Sequence, residues 1–194
     1  TYCRGKPYRR LLELLEDLSG AFGITNGQAS SLLVATTGTG GKTAADLLGG
    51  VFVNEVVALA SAISTLPARG LSPRSVIEMG GEDAKLLFME EKGSGIALSD
   101  FVMNTVCAAG TGSFLDQQAK RVGVSIDGEF GAMALKSQNP PRIAGRCSVF
   151  AKSDMIHLQQ IATPVEDIVA GLCFAVARNF KSTMARGRKL AEPV

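Results

Sequence analysis

Two cysteines stand in similar settings. Cys107 precedes the run "AAGTG", and Cys147 sits in "GRCSVFAKSDMI", each just ahead of a stretch with helical patterning. The positive end of a helix dipole stabilises a thiolate, the species that ligates iron or acts as a nucleophile. The opposing reading is a pair of buried, inert cysteines, the common fate of a free thiol. Two thiolates per chain fall short of the four that a [4Fe–4S] cluster takes, whereas a twofold dimer supplies four. Of the remaining cysteines, Cys173 lies in the apolar run "IVAGLCFAVA" and reads as core, and Cys3 lies close to the start of the sequence. Neither is a ligand candidate.

A second kind of chemistry is suggested by glycine. The sequence has 22 glycines, clustered in short turns, as in proteins whose backbone approaches a phosphate closely. In "IEMGGEDAK", residues 77–85, an acidic residue near a strand end is followed by two glycines, two more acids and a lysine. Backbone N–H groups at such a turn can face a phosphate while carboxylates order Mg²⁺ or aim a water. A tight hairpin with a charged tip has the same signature, so both readings stand. "ATTGTGGKT", residues 35–43, has Thr36 where the phosphate-loop pattern requires glycine, and reads as a structural or phosphate-proximal turn. Glu55 opens a helical run, where the dipole alone favours a carboxylate. His157, the single histidine, falls on a helical pattern and reads as a surface position. Nothing resembles a Ser-His-Asp arrangement.

The elements that must position these residues follow from periodicity. Residues 9–22 place Leu11, Leu14, Leu15 and Leu18 at helical spacing. Residues 30–37 read as a strand, then a glycine turn and a short helix at "KTAADLLGG", a short strand at "VFVN" and a helix over 55–66. "PARGLSPRS" breaks the chain. Strands are expected at 75–79, "KLLFME" and "IALSDFVMN", and helices at 112–122, near "EFGAMALKS", and at 148–161. A last helix is expected to have Thr163 as N-cap and Pro164 at N1, and to run to about Arg186. The chain is therefore α/β, with helices dominating its last third.

Composition excludes several classes. The 194 residues are 46% hydrophobic and 20% charged with net charge +2, which suits a folded globular chain and offers no basic stripe for nucleic acid. No apolar run approaches the roughly 20 residues of a membrane span, and the N-terminus has no signal-peptide core. A cytoplasmic location is expected, with neither nucleic acid nor membrane as partner. The cysteine spacing argues against a zinc knuckle or a disulfide framework.

Taken in order and spacing, "IEMGGEDAK", "DFVMNTVCAAGTGSFLDQQAKRVGV", "GRCSVFAKSDMIH" and "EDIVAGLCFAVARN" resemble the activase family of 2-hydroxyacyl-CoA dehydratases, which includes the ATP-binding subunits of benzoyl-CoA reductase (BadF/BadG/BcrA/BcrD type). The resemblance implies an actin-like, sugar-kinase and Hsp70-type ATPase fold of two α/β halves. It implies a homodimer, or a pair of related subunits, sharing one [4Fe–4S] cluster, to which Cys107 and Cys147 would be this chain's ligands. Gly80, Gly81, Glu82 and Asp83 match the family's second phosphate loop, and Gly110, Thr111 and Gly112 the turn between cluster and nucleotide. The implied cofactors are the cluster, ATP/ADP and Mg²⁺. The implied activity is ATP-driven transfer of a low-potential electron from reduced ferredoxin or flavodoxin to an iron–sulfur dehydratase or reductase, with Asp83 and Glu55 as candidates for the water and metal shell.

The resemblance also carries departures. The family's first phosphate strand and its adenosine segment have no counterpart, so the expectation is a fold truncated at both ends. Residues 1–72 would be part of the first half and residues 73–194 the second half with the cluster-ligand helices. Glu82 stands where glutamine is more usual. Two other readings remain: a sugar-kinase-like phosphotransferase on the same fold, which leaves the paired cysteines unexplained, and a non-catalytic regulatory domain that keeps the fold.

Overall fold

The structure, a computed structural model, describes residues 5–24, 32–93, 95–104 and 110–194. It comprises two compact units, Thr1–Thr65 and Leu66–Val194.

In the first unit, α1 (Pro7–Phe22) starts with proline at its first position and stops at Gly23, whose φ of 62° reverses the chain. Glu13 pairs with Arg9 at 3.2 Å and with Arg10. Those two guanidinium groups, Arg10 first, hold its carboxyl below the usual range. No residue of α1 is buried. The expected strand at 30–37 narrows to β1 (Ala35–Thr36), paired in parallel with β2 (Val51–Phe52). The ladder is short because β2 is hemmed in by the turn at Gly49 and by Asn54, which caps the next helix. Gly50 sits where a Cβ would lie 2.5 Å from the Val34 carbonyl oxygen, so only glycine lets the two segments approach. Between them runs α2 (Gly41–Leu48), and after them α3 (Glu55–Ser64), with the Asn54 carboxamide accepting from the Val56 amide at 2.9 Å.

The second unit opens with a 3₁₀ turn at Leu66–Arg69 and an antiparallel meander of β3 (Ser75–Met79), β4 (Ala84–Lys92) and β5 (Gly95–Asn104), in the order β3-β4-β5. Pairing of Met79 with Ala84 leaves a four-residue turn, 80–83. A bulge where the Phe88–Asp100 pairing gives way to Met89–Leu98 leaves Ser99 extra, and its hydroxyl donates to the Phe88 carbonyl at 3.0 Å. Helices α4 (Gly112–Val122), α5 (Phe130–Ala134), α6 (Ser148–Gln160) and α7 (Val165–Phe180) follow. α7 is the axis of the unit: Ile168, Leu172 and Ala175 are fully buried among Phe114, Phe130 and Met155 of the other helices. Phe180, Met184 and Ala185 carry the same helix line onto Ala84 and Leu86 of the sheet.

The last helix departs from expectation at its start. Pro164, not Thr163, is the N-cap, with ψ 140° and its carbonyl accepting the first helical bond from the Ile168 amide at 3.2 Å. Thr163 instead closes the exit of α6, its N–H donating to the Leu158 carbonyl at 2.9 Å. Its end is also altered: beyond Phe180 the chain widens into a π turn, Lys181–Ala185, and reverses at Arg186 with φ 47°. The hydroxyls of Ser182 and Thr183 both donate to the Asn179 carbonyl there, at 3.0 and 2.7 Å, competing with the regular ladder.

Candidate functional site

The β3–β4 turn does two things at once. It is a hairpin tip, closed by the Gly80 amide donating to the Asp83 carbonyl at 2.9 Å. It is also a seat for α4. The Gly112 amide donates to the Gly80 carbonyl at 2.9 Å, the Ser113 amide to the Gly81 carbonyl at 3.1 Å, and the Thr111 hydroxyl to that same Gly81 oxygen at 3.1 Å. The first N–H groups of a helix have no partner within it. Here the turn carbonyls satisfy two of them, so the start of α4 is a joint with the hairpin and not an open anion cradle. Thr111 is fully buried. A Cβ on Gly112 would lie 3.2 Å from the Gly80 oxygen, and one on Gly110, at φ +93°, would lie 2.4 Å from Asn179 Nδ2. Gly80, Gly81, Thr111 and Gly112 are thus brought together, with Gly110 locked against α7.

The charges on the hairpin are organised by a residue the sequence reading left without a role. Lys85 is buried, and its Nζ donates to Asp83 Oδ1 at 2.8 Å and Glu78 Oε2 at 3.0 Å. Burial by itself pushes the Lys85 pKa down. The hydrogen bonds and charges of Asp83 and Glu78 outweigh that and hold it above the ordinary lysine value. The hairpin register, with its four-residue turn, pairs Glu78 with Lys85 across the ladder. Glu82 is exposed at the tip. Asp83 therefore has one oxygen committed to a cation of the protein itself. Glu55 lies in the first unit, half-buried in the opening turn of α3.

Cys147 is the N-cap residue of α6, half-buried in extended backbone with φ −146°, and its carbonyl accepts the Ala151 amide at 3.0 Å. The loop before it is fixed from both sides. The Ala144 amide donates to Asp154 Oδ2 at 2.8 Å, and Gly145 lies so close to α7 that a Cβ would meet the Ala175 oxygen at 2.3 Å. Val149 and Phe150, just past the thiol, are each 65% exposed. Cys107 lies outside the described residues, as does Cys3. Cys173 packs beside the helical core, where burial pushes its thiol pKa up, the opposite of an activated thiolate. His157 is exposed in the last turn of α6. Among the described residues no group of three or more His, Cys, Asp or Glu is placed to hold a metal, so a metal on Cys147 needs ligands from beyond them.

Sequence reasoning also missed Asp167. Its Oδ1 accepts from the Ser137 hydroxyl at 2.6 Å and the Gln138 and Asn139 amides at 3.0 and 3.1 Å. Those bonds, Ser137 first, hold its carboxyl below the usual range. The residue pins the loop before the Pro-Pro pair onto the first turn of α7, an architectural role.

The profile of the BadF/BadG/BcrA/BcrD ATPase family matches residues 4–194. The chain belongs to that family. It is 44% identical over 114 residues to the 2-hydroxyisocaproyl-CoA dehydratase activator of Clostridioides difficile, covering 58% of this chain and 41% of that protein. To the (R)-2-hydroxyglutaryl-CoA dehydratase activating ATPase of Acidaminococcus fermentans it is 36% identical over 103 residues, 53% of this chain and 38% of the relative. The solved activator of the 2-hydroxyisocaproyl-CoA dehydratase from Clostridium difficile, with ADPNP bound, superposes with TM-score 0.76 at 31% identity over 94% of this chain and 63% of that one. The fold is thus the actin-like α/β ATPase fold expected from the family motifs. The family member described here matches less than half the length of each of the two curated relatives. No helix among its described residues is long and apolar enough to cross a membrane.

Proposed function

We propose that this chain serves in an ATP-driven electron-transfer activator. Nucleotide phosphates would face the 80–83 turn. A [4Fe–4S] cluster would be shared between two subunits, identical or related, through Cys107 and Cys147 of each. A 2-hydroxyacyl-CoA dehydratase or benzoyl-CoA reductase would be the electron acceptor, and reduced ferredoxin or flavodoxin the donor. The observation that carries this reading is the joint at Gly80 and Gly81. The turn that matches the phosphate loop is hydrogen-bonded to Gly112 and Ser113, five and six residues after Cys107 in the sequence. Movement of the turn with nucleotide state would pass directly into α4 and the segment before it.

The donor set suits the cluster. Thiolates are its usual ligands, Cys147 is a half-buried free thiol at a helix start, and two cysteines per subunit would give four in a dimer. Large exposed side chains at Val149 and Phe150 support contact with a second subunit on that side. When bound, the cluster supplies one-electron storage at low potential. The chain's own contribution is to hold the thiolate at the positive end of α6, which favours an anionic group.

At the hairpin, amides of Gly81 and Glu82 would meet phosphate oxygens, and Asp83 would aim the hydrolytic water. Lys85 fixes the Asp83 rotamer and neutralises part of its charge, which suits water positioning better than sole ligation of a cation. Glu55, in the first unit, would be a separate candidate ligand of Mg²⁺, whose chemistry is to neutralise the phosphates. Rate enhancement in such a site comes mainly from positioning and electrostatics.

The test is an ADP titration of the isotopically labelled chain, purified anaerobically, followed by ATP turnover of Asp83→Ala and Glu55→Ala. The expected result is saturable movement of the amides at 80–83 and 110–112, with turnover in each variant down by at least about tenfold. Amides at the turn that do not respond, or variants with full turnover, would overturn the assignment.

A further inference from the structure

A cleft of about 490 Å³ separates the 142–146 loop from the second half of α7, within the size range of small-ligand sites. Arg142, Arg146 and Arg178 line it, with Asn179 and Ser182, and among the described residues no carboxylate does. Its walls are fixed. Arg178 Nη2 donates to the Ile143 carbonyl at 2.9 Å, Ile143 is itself buried, and the Ala144 and Gly145 contacts described above hold the rest of the loop.

What marks the cleft is that three arginines without a carboxylate partner line one space. Arg9, Arg10, Lys85, Lys120 and Arg188 each pair with a carboxylate. Among the described residues the exposed side chains of Arg142 and Arg146 have neither an ion pair nor a hydrogen bond, and Arg178 lines the same space. Like charges gathered around one cleft repel each other, and an anion placed among them relieves that cost. Guanidinium forks match the geometry of phosphate and carboxylate groups, and a group held by two or three forks gains charge-assisted bonds from each.

We propose that this cleft is a binding site for a small, multiply charged oxyanion, gripped by Arg142, Arg146 and Arg178. The site stands on residues other than those of the nucleotide reading, so either can fail without the other. The ligand's charged groups are phosphates or carboxylates, and two probes separate those sources.

The full 194-residue chain, labelled for amide NMR, is titrated with pyrophosphate and with citrate at constant ionic strength. Saturable shifts are expected at the amides of Ile143, Ala144, Arg146 and Ser182. The double variant R142Q/R146Q should weaken binding at least about tenfold, and Arg178 is left in place because it holds Ile143. Tighter binding of pyrophosphate assigns a phosphate ligand, and tighter binding of citrate a carboxylate one. The proposal is overturned by shifts that rise linearly without saturating for both probes, by shifts confined to the 80–83 turn, or by binding that the double variant leaves unchanged.

Discussion

Two glycine-rich turns in this chain look alike on paper and do different work. The turn at 38–40 links β1 to α2. Its Gly38 and Gly40 adopt φ values of 76° and 79°, yet a Cβ at either would meet nothing within 4 Å. Those glycines supply a backbone conformation and nothing more. In the joint of 80–81 with 110–112, Gly110 combines φ +93° with a side chain pressed against it, and Gly112 lets a helix start come within bonding distance of a hairpin tip. Glycine there sets the distance between two elements. A turn that only bends the chain loses on replacement only the backbone preference of glycine. A turn that seats one element on another also loses the close approach, and this favours the second as the place where a bound group could be felt at a distance.

The contrast can be broken most severely at Gly110. Gly110→Ala combines a left-handed backbone with a clash on buried Asn179, and should destabilise the chain by about 3 kcal/mol or more, read by chemical denaturation. A cost below about 1 kcal/mol would mean that the joint yields easily.

Lys85→Met should be milder. It removes a buried ammonium from partners that remain partly exposed, Asp83 at 22% and Glu78 at 31%, so a loss of about 1–2 kcal/mol is expected at neutral pH. Because the folded pKa is raised, the lysine's contribution is fully present below its ordinary value of 10.5 and fades as pH rises through the higher folded value. The gap between wild type and Lys85→Met, measured by denaturation at a series of pH values, should therefore be constant from neutral to about pH 10 and shrink beyond it. A gap independent of pH throughout the alkaline range would contradict the pairing.

Smallest of all should be Gly40→Ala, at about 1 kcal/mol from the backbone conformation alone. A value matching that of Gly110→Ala would erase the distinction between the two turns.

Much of this was legible in the residues. β3 and α4 fall where alternation and helical spacing put them, because each carries its own period and its own stop: the Gly-Gly pair after Met79, and Gly123 after Val122. The family was readable from four motifs in order. What escaped depended on partners that local periodicity does not reveal. Asp167 is defined by a loop 28 to 30 residues away, and no local pattern announces that. Thr163 has the chemistry of a cap, but it belongs to the exit of α6, where its N–H meets the Leu158 carbonyl. Lys85 sits within the quoted motif, and only the hairpin register shows that Glu78 stands opposite it. The arginines at 142, 146 and 178 converge because Gly145 lets the loop lie on α7, a tertiary fact. Cys147 was legible as a helix-start thiol; Cys107 lies outside the described residues.

The measurement closest to the central claim is iron and sulfide content, with oligomeric state, after strictly anaerobic purification and reconstitution of the chain beside its Cys107→Ser and Cys147→Ser variants. The account predicts a dimer with about two irons and two sulfides per chain, lost in either variant. A folded, reconstituted dimer that takes up no iron, or that keeps it when both cysteines are replaced, would contradict a shared cluster.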